Sequence, residues 1–160
     1  MSPTTAAGQR SAADVIEPRS LVDHALFDQL TTRVARTHNI TCEHAGRIME
    51  QALAFLYTCA HNPGAALTPS PEVDLGWHTF ILDTHAYSEF CQRIADRFLH
   101  HNPEEPGGDK AAFAARLGDT IQAMRALGMT VDSALWLTNA ECSQCYAGCV
   151  DDPSPEGIQP

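Results

Sequence analysis

Residues 41–64 read TCEHAGRIMEQALAFLYTCAHNPG, and this stretch decides the fold. Thr41 is a suitable N-cap, and Glu43 places negative charge in the first turn. Ile48, Ala52, Phe55, Leu56 and Cys59 then recur at i, i+4, i+7, i+8 and i+11, the spacing of one continuous apolar face. His61-Asn62-Pro63-Gly64 ends the segment, because proline cannot continue the hydrogen-bond ladder and glycine accepts left-handed geometry. A long helix with one apolar face needs partners to cover it, and the flanking sequence supplies them.

Before it, Leu26, Phe27, Leu30 and Val34 keep helical spacing to about Thr37, and His38-Asn39 closes that segment. After it, Ser70-Pro71-Glu72 is a start signal: a cap, a proline at the first helical position and an acid in the first turn. That helix carries Val73, Trp77, Phe80 and Ile81, breaks near Asp83-Thr84, and resumes through Tyr87, Phe90, Cys91, Ile94 and Phe98. A polar loop, HHNPEEPGGD, leads to a helix from about Lys110 to Leu127, with Asp109 as cap, Gly128 as stop and Phe113, Leu117, Ile121 and Met124 as its stripe. Residues 130–136 read as a short extended piece. The expected fold is all-α, a compact single-domain bundle of four to five helices with a C-terminal Cys-rich metal-binding segment. Residues 1–20 and 151–160 read as disordered tails around a helical domain over 21–150.

Composition narrows the function. Ten basic residues against twenty acidic ones give a formal net charge of −10, which repels phosphate backbones and anionic lipid and so argues against nucleic acid and membrane partners. No apolar run approaches a membrane span. The N-terminal stretch MSPTTAAGQRSAADVIEPRS lacks the layout of a secretory signal, so the expected compartment is the cytoplasm. In a reducing compartment a tight group of thiols binds metal more often than it forms disulfides.

Such a group stands near the C-terminus. Cys142-Ser-Gln-Cys145-Tyr-Ala-Gly-Cys149 places three of the six cysteines in eight residues. Cys-x-x-Cys lets two thiolates grip one ion from a tight turn, but a tetrahedral zinc ion needs four ligands. Histidines are the natural suppliers of the rest. Asp74 and His78 stand at i, i+4 and therefore share a helix face; His85 falls within about 40° of them on an ideal helix, unless the break near Asp83 turns it away. Trp77 and Phe80 flank His78, which predicts that it is at least partly buried. Of the pair His100-His101, at most one can face the same point. His24, His38, His44 and His61 read as surface or capping residues, and Cys59 as a small buried hydrophobe. Without a metal, His78 would be an ordinary core histidine bonded to Asp74 or a carbonyl. A redox Cys-x-x-Cys and an iron–sulfur cluster both fit the pattern less well, since the βαβ context of the first and the fourth cysteine of the second are missing.

The run Glu72-Val-Asp-Leu-Gly-Trp-His78, then Tyr87, then Arg97-Phe-Leu-His-His101, resembles the VDLxWH signature of the glycine-rich-domain-containing proteins, in the short form without a Gly-rich tail. Ala54-Phe-Leu, Asn62-Pro-Gly-Ala-Ala-Leu-Thr-Pro and the stretch from Glu141 to Cys149 resemble the segments on either side, so the likeness spans roughly residues 45–150. It implies roles for Asp74, Trp77, His78, Tyr87, His101 and the cysteines, and it favours His101 over His100. The chain departs from that pattern at Phe80, where those proteins often have a second histidine, and in its looser cysteine spacing.

These readings converge on one shared metal site. His78, His101, Cys142, Cys145 and Cys149 are its expected ligands, zinc is the expected ion, and Asp74 is an orienting or outer group. A closed site would belong to a small interaction or accessory protein with a protein or small-molecule partner. An open coordination position would instead make the chain a metal-dependent hydrolase or biosynthetic modifying enzyme, with Asp74 or Glu141 as the catalytic acid–base group. A thiol redox protein using Cys142 and Cys145 is the third alternative.

Overall fold

A computed structural model describes residues 15–102 and 107–137. Those residues form a 3-10 turn, Pro18–Leu21, and six α-helices, with no strand among them: α1 (His24–His38), α2 (Cys42–His61), α3 (Pro71–Ile81), α4 (Thr84–Ala95), α5 (Lys110–Ala126) and α6 (Ser133–Trp136). Each boundary has a local cause. Asp23, Thr41, Ser70, Asp83, Asp109 and Asp132 each accept a backbone N–H of the first turn of the helix that follows. Asn39 and Asp96 end α1 and α4 in the left-handed conformation, both at φ 52°.

Helix α2 is the centre of the molecule. It packs most extensively on α3, then on α1, and also touches α4, α5 and the 3-10 turn. Ile48, Met49, Ala52, Leu53, Ala54, Phe55 and Leu56 are all fully buried. The sequence predicted one apolar stripe here, whereas neighbours enclose α2 on several sides. The closest crossing is at Gly76 of α3, where an added Cβ would stand 2.8 Å from Ala52 Cβ and 3.2 Å from Ile48 O. Glycine at that position lets the two helices approach to backbone contact.

The folded body begins before Leu21. Ile16 packs on the core, Arg19 bonds to Glu50 of α2, and its guanidinium lies 4.7 Å from the centre of the Phe27 ring. At the other end, residues 130–136 are not extended as expected: they close into the helical turn α6, which makes a sixth helix. In a strand, neighbouring side chains point to opposite faces, but here consecutive Leu135 and Trp136 are both buried, and a helical turn permits that. Gln51 ties this segment down by donating to Thr130 O (3.0 Å) and accepting from Asp132 N (3.2 Å) and Trp136 Nε1 (2.6 Å). Of the tails expected over residues 1–20 and 151–160, residues 1–14 and 151–160 lie outside the described residues, as does the Cys-rich segment. Among the described residues no helix is long and apolar enough to cross a membrane.

Candidate metal centre

Helix α3 presents the first two functional side chains. Its start is fixed by Ser70, whose Oγ accepts from Val73 N (3.2 Å) and donates to Leu135 O (2.6 Å), so α3 and α6 are locked together. Val73, Gly76, Trp77 and Phe80 then face the core, and Asp74 and His78 fall on the rim beside them. His78 is exposed, contrary to the burial expected from its flanking aromatics. The reason is rotational: each residue advances about 100°, so once Trp77 and Phe80 take the inward face, His78 is carried outward.

The third side chain arrives from after α4. The chain turns at Asp96, and Arg97 donates from Nη2 to Cys59 O (3.1 Å) at the end of α2, a carbonyl that also accepts from Asn62 N (3.3 Å). Leu99 is buried. Two residues on, His101 donates from Nε2 to Asp74 Oδ1 across 2.6 Å. Its ring leans on Trp77 at 4.3 Å between centroids and meets the His78 ring edge-on at 5.4 Å. Side-chain exposure is 11% for His101 and 36% for Asp74, so one side of the cluster is walled by Trp77 and the other opens outward.

Asp74, His78 and His101 each offer one ligand atom, and these atoms all lie within 4.8 Å of one another. Zinc–nitrogen and zinc–oxygen bonds of about 2.0–2.2 Å put ligand atoms roughly 3.3 Å apart around a tetrahedral ion. Side-chain rotation, unopposed at exposed His78, covers the difference. Two imidazoles and a carboxylate also form a donor set that zinc and other first-row divalent ions accept. The residues therefore fit a metal. Since an ionised carboxylate only accepts, Nε2 of His101 carries the proton in the observed contact and Nδ1 keeps its lone pair. That is the arrangement in which a carboxylate orients a ligating histidine.

The other candidates separate from this cluster. His85 is exposed and pairs with Glu89 along α4 (3.5 Å), because α4 starts a new helix axis after Asp83. His100 leans on the ring of Phe98 (4.8 Å), leaving His101 as the one that turns inward. His24 pairs with Asp28, His44 with Glu72, and His61 bonds to Tyr57 O, all surface or capping contacts. Cys59 is only partly buried, packed against the core rather than within it, and its surroundings push the thiol up to about 12 by desolvation. Glu141, Cys142, Cys145 and Cys149 lie outside the described residues. Sequence reasoning missed Arg97, whose role depends on where α2 ends in space and leaves no local pattern.

The fold and this cluster define a class: an all-helical protein carrying a three-residue His/Asp group at a helix rim. A family model described as UCP032817-like matches residues 17–113, more than half of the chain, and the chain belongs to that family. This overturns the resemblance to the glycine-rich-domain-containing proteins. The short VDLGWH run that suggested it has packing reasons of its own, with glycine at a helix crossing and tryptophan against the core, so it does not single out one family. The match ends at residue 113, before Cys142, Cys145 and Cys149, and the roles implied by the earlier likeness lose that support. No curated protein and no solved structure matches the chain.

Proposed function

We propose that this chain is a small metal-binding helical protein that holds zinc through His78 and His101, with Asp74 orienting His101, and acts as an interaction or accessory protein. The observation that carries the reading is the convergence of three donor side chains from two separate segments to within 4.8 Å. A histidine pair and a carboxylate this close, with a tryptophan wall behind them, is an arrangement that a metal stabilises and that packing alone does not require.

Cys142, Cys145 and Cys149 are assigned here as the further donors. What supports them is reach. Leu135 is bonded to Ser70, one helical turn before Asp74, and Cys142 follows Leu135 after a tether of at most roughly 25 Å of extended chain. A reducing cytoplasm is the compartment in which these thiols would stay available to a metal.

The exposure of His78 favours a second reading, in which a coordination position stays open to solvent and the chain is a metal-dependent enzyme with Asp74 or Glu141 as its acid–base group. Metal content decides both. The purified protein is expected to carry about one zinc per chain, and His78→Ala and Cys145→Ala are each expected to lower it. If neither does, the shared site is wrong; loss with His78→Ala alone supports the open site without thiolate ligands.

A further inference from the structure

We infer that Tyr87 is a positioning residue for the metal centre, holding through its hydroxyl the strand of chain that carries His101. The inference rests on the reading of Asp74, His78 and His101 as a metal site and adds how that site is kept in shape.

Tyr87 lies on the core side of α4 and is fully buried. Its ring orientation is set by Phe80 at 5.2 Å and Phe98 at 5.3 Å, both edge-on. Held that way, its hydroxyl accepts from Trp77 Nε1 (2.9 Å) and donates to Leu99 O (2.6 Å). A phenol has one proton to give, and this geometry spends it on the backbone two residues before His101. Burial raises the Tyr87 phenol above its ordinary range, so it remains a donor across the physiological span.

The two partners are the two structures that His101 depends on. Trp77 is the wall its ring rests on, and Leu99 is the anchor of the segment that delivers it. Tyr87 thus joins α3, α4 and the 97–101 segment at one atom. Removing the hydroxyl leaves the Trp77 N–H and the Leu99 carbonyl without their partner in the core, and they can regain partners only by moving. The movement falls on His101, whose contact with Asp74 needs placement to a few tenths of an ångström.

The test uses the full chain with Tyr87→Phe, and Tyr57→Phe as a control away from the centre. In metal-free protein the His101 ring protons, assigned by comparison with His101→Gln, carry a ring-current shift from Trp77. Tyr87→Phe is expected to reduce that shift, and Tyr57→Phe to leave it unchanged. With cobalt(II) as the probe, Tyr87→Phe is expected to weaken binding by about tenfold or more and to alter the visible absorption band. An unchanged His101 shift in Tyr87→Phe overturns the positioning role, whatever the metal data show. A wild-type protein without a cobalt band overturns the metal reading instead, and the His101 shift still judges Tyr87 separately. Should Tyr87→Phe fail to fold, 3-fluorotyrosine placed at position 87 keeps the hydroxyl but makes it a stronger donor. Movement of the His101 resonances then supports the role, and their constancy overturns it.

Discussion

His101 and Asp74 share a hydrogen bond of 2.6 Å although one belongs to a helix and the other to the segment after the next helix. The bond links the two halves of the candidate centre and selects which imidazole nitrogen is left with a lone pair. Asp74→Asn keeps the shape but offers a weaker acceptor, or a donor, where His101 Nε2 needs a full carboxylate. It should lower zinc affinity by about 10–100-fold, the usual scale for a carboxylate behind a ligating histidine. Calorimetric titration of both proteins with zinc measures this, and equal affinities would show that Asp74 has no part in the site.

Removing the metal should leave the helices in place. The buried core runs through α2 and its neighbours, with Ile48, Phe55, Phe80 and Phe90 among its members, whereas the His/Asp cluster sits on its rim. Far-ultraviolet circular dichroism before and after a strong chelator should therefore differ little. Cooperative loss of most helicity would mean that the metal is part of the folding energy of the bundle itself.

Gly76→Ala should destabilise the protein despite the better helix propensity of alanine. The added methyl would meet Ala52 Cβ at 2.8 Å and Ile48 Cγ2 at 3.2 Å in the centre of the α2–α3 contact. Overpacking of this kind costs about 1–3 kcal/mol, against roughly 1 kcal/mol gained from propensity. Urea unfolding curves give the balance, and a midpoint at or above that of the wild type would contradict the crossing geometry.

Arg47 and Asp132 predict the shape of the acid limb of stability. Arg47 donates to Asp132 from Nε (2.7 Å) and Nη2 (3.0 Å), and this holds the Asp132 carboxyl below its ordinary range although partial burial opposes it. A lowered folded value means that the unfolded chain takes up the proton first as pH falls. The stabilisation is therefore complete above the ordinary carboxylate value of about 4 and is lost as pH drops below it through the lower folded value. Arg47→Met should be less stable than the wild type at neutral pH, with the gap closing on acidification. A melting-temperature series from pH 7 to pH 2.5 tests it, and a gap independent of pH would rule the pair out as the cause.

The described cysteines should differ sharply in reactivity. Cys42 is exposed near the start of α2, while burial holds Cys59 up to about 12. Very little of Cys59 is then thiolate, the form that reacts. Brief iodoacetamide treatment followed by peptide mass mapping should find Cys42 alkylated and Cys59 intact until the protein is unfolded. Alkylation of Cys59 at a comparable rate would mean that the end of α2 opens readily.

The helices were legible because their signals are local. Thr41, Ser70 and Asp109 have the side chains of caps, and each accepts a first-turn N–H. The break expected near Asp83-Thr84 is the point where the structure places a new helix N-cap. Residues 130–136 form a helical turn rather than an extended piece because Gln51, which lies on α2 and is distant in sequence, holds them. His78 is exposed for a related reason: aromatic neighbours in sequence bury a residue only when they share its face.

The sequence by itself determined an all-helical chain, the ends of its main helices and the pairing of Asp74 with His78 on one helix, because caps, breakers and the 3.6-residue period act within a turn or two. It also singled out His101 as a partner, but through a family likeness that did not hold. Only the tertiary structure decided that His101, and neither His85 nor His100, meets Asp74. That choice depends on the direction in which α4 leaves Asp83, on Arg97 reaching the end of α2, and on the Tyr87 hydroxyl holding Leu99. These are contacts between segments far apart in the chain, fixed by close packing of the whole core, and no local pattern encodes them.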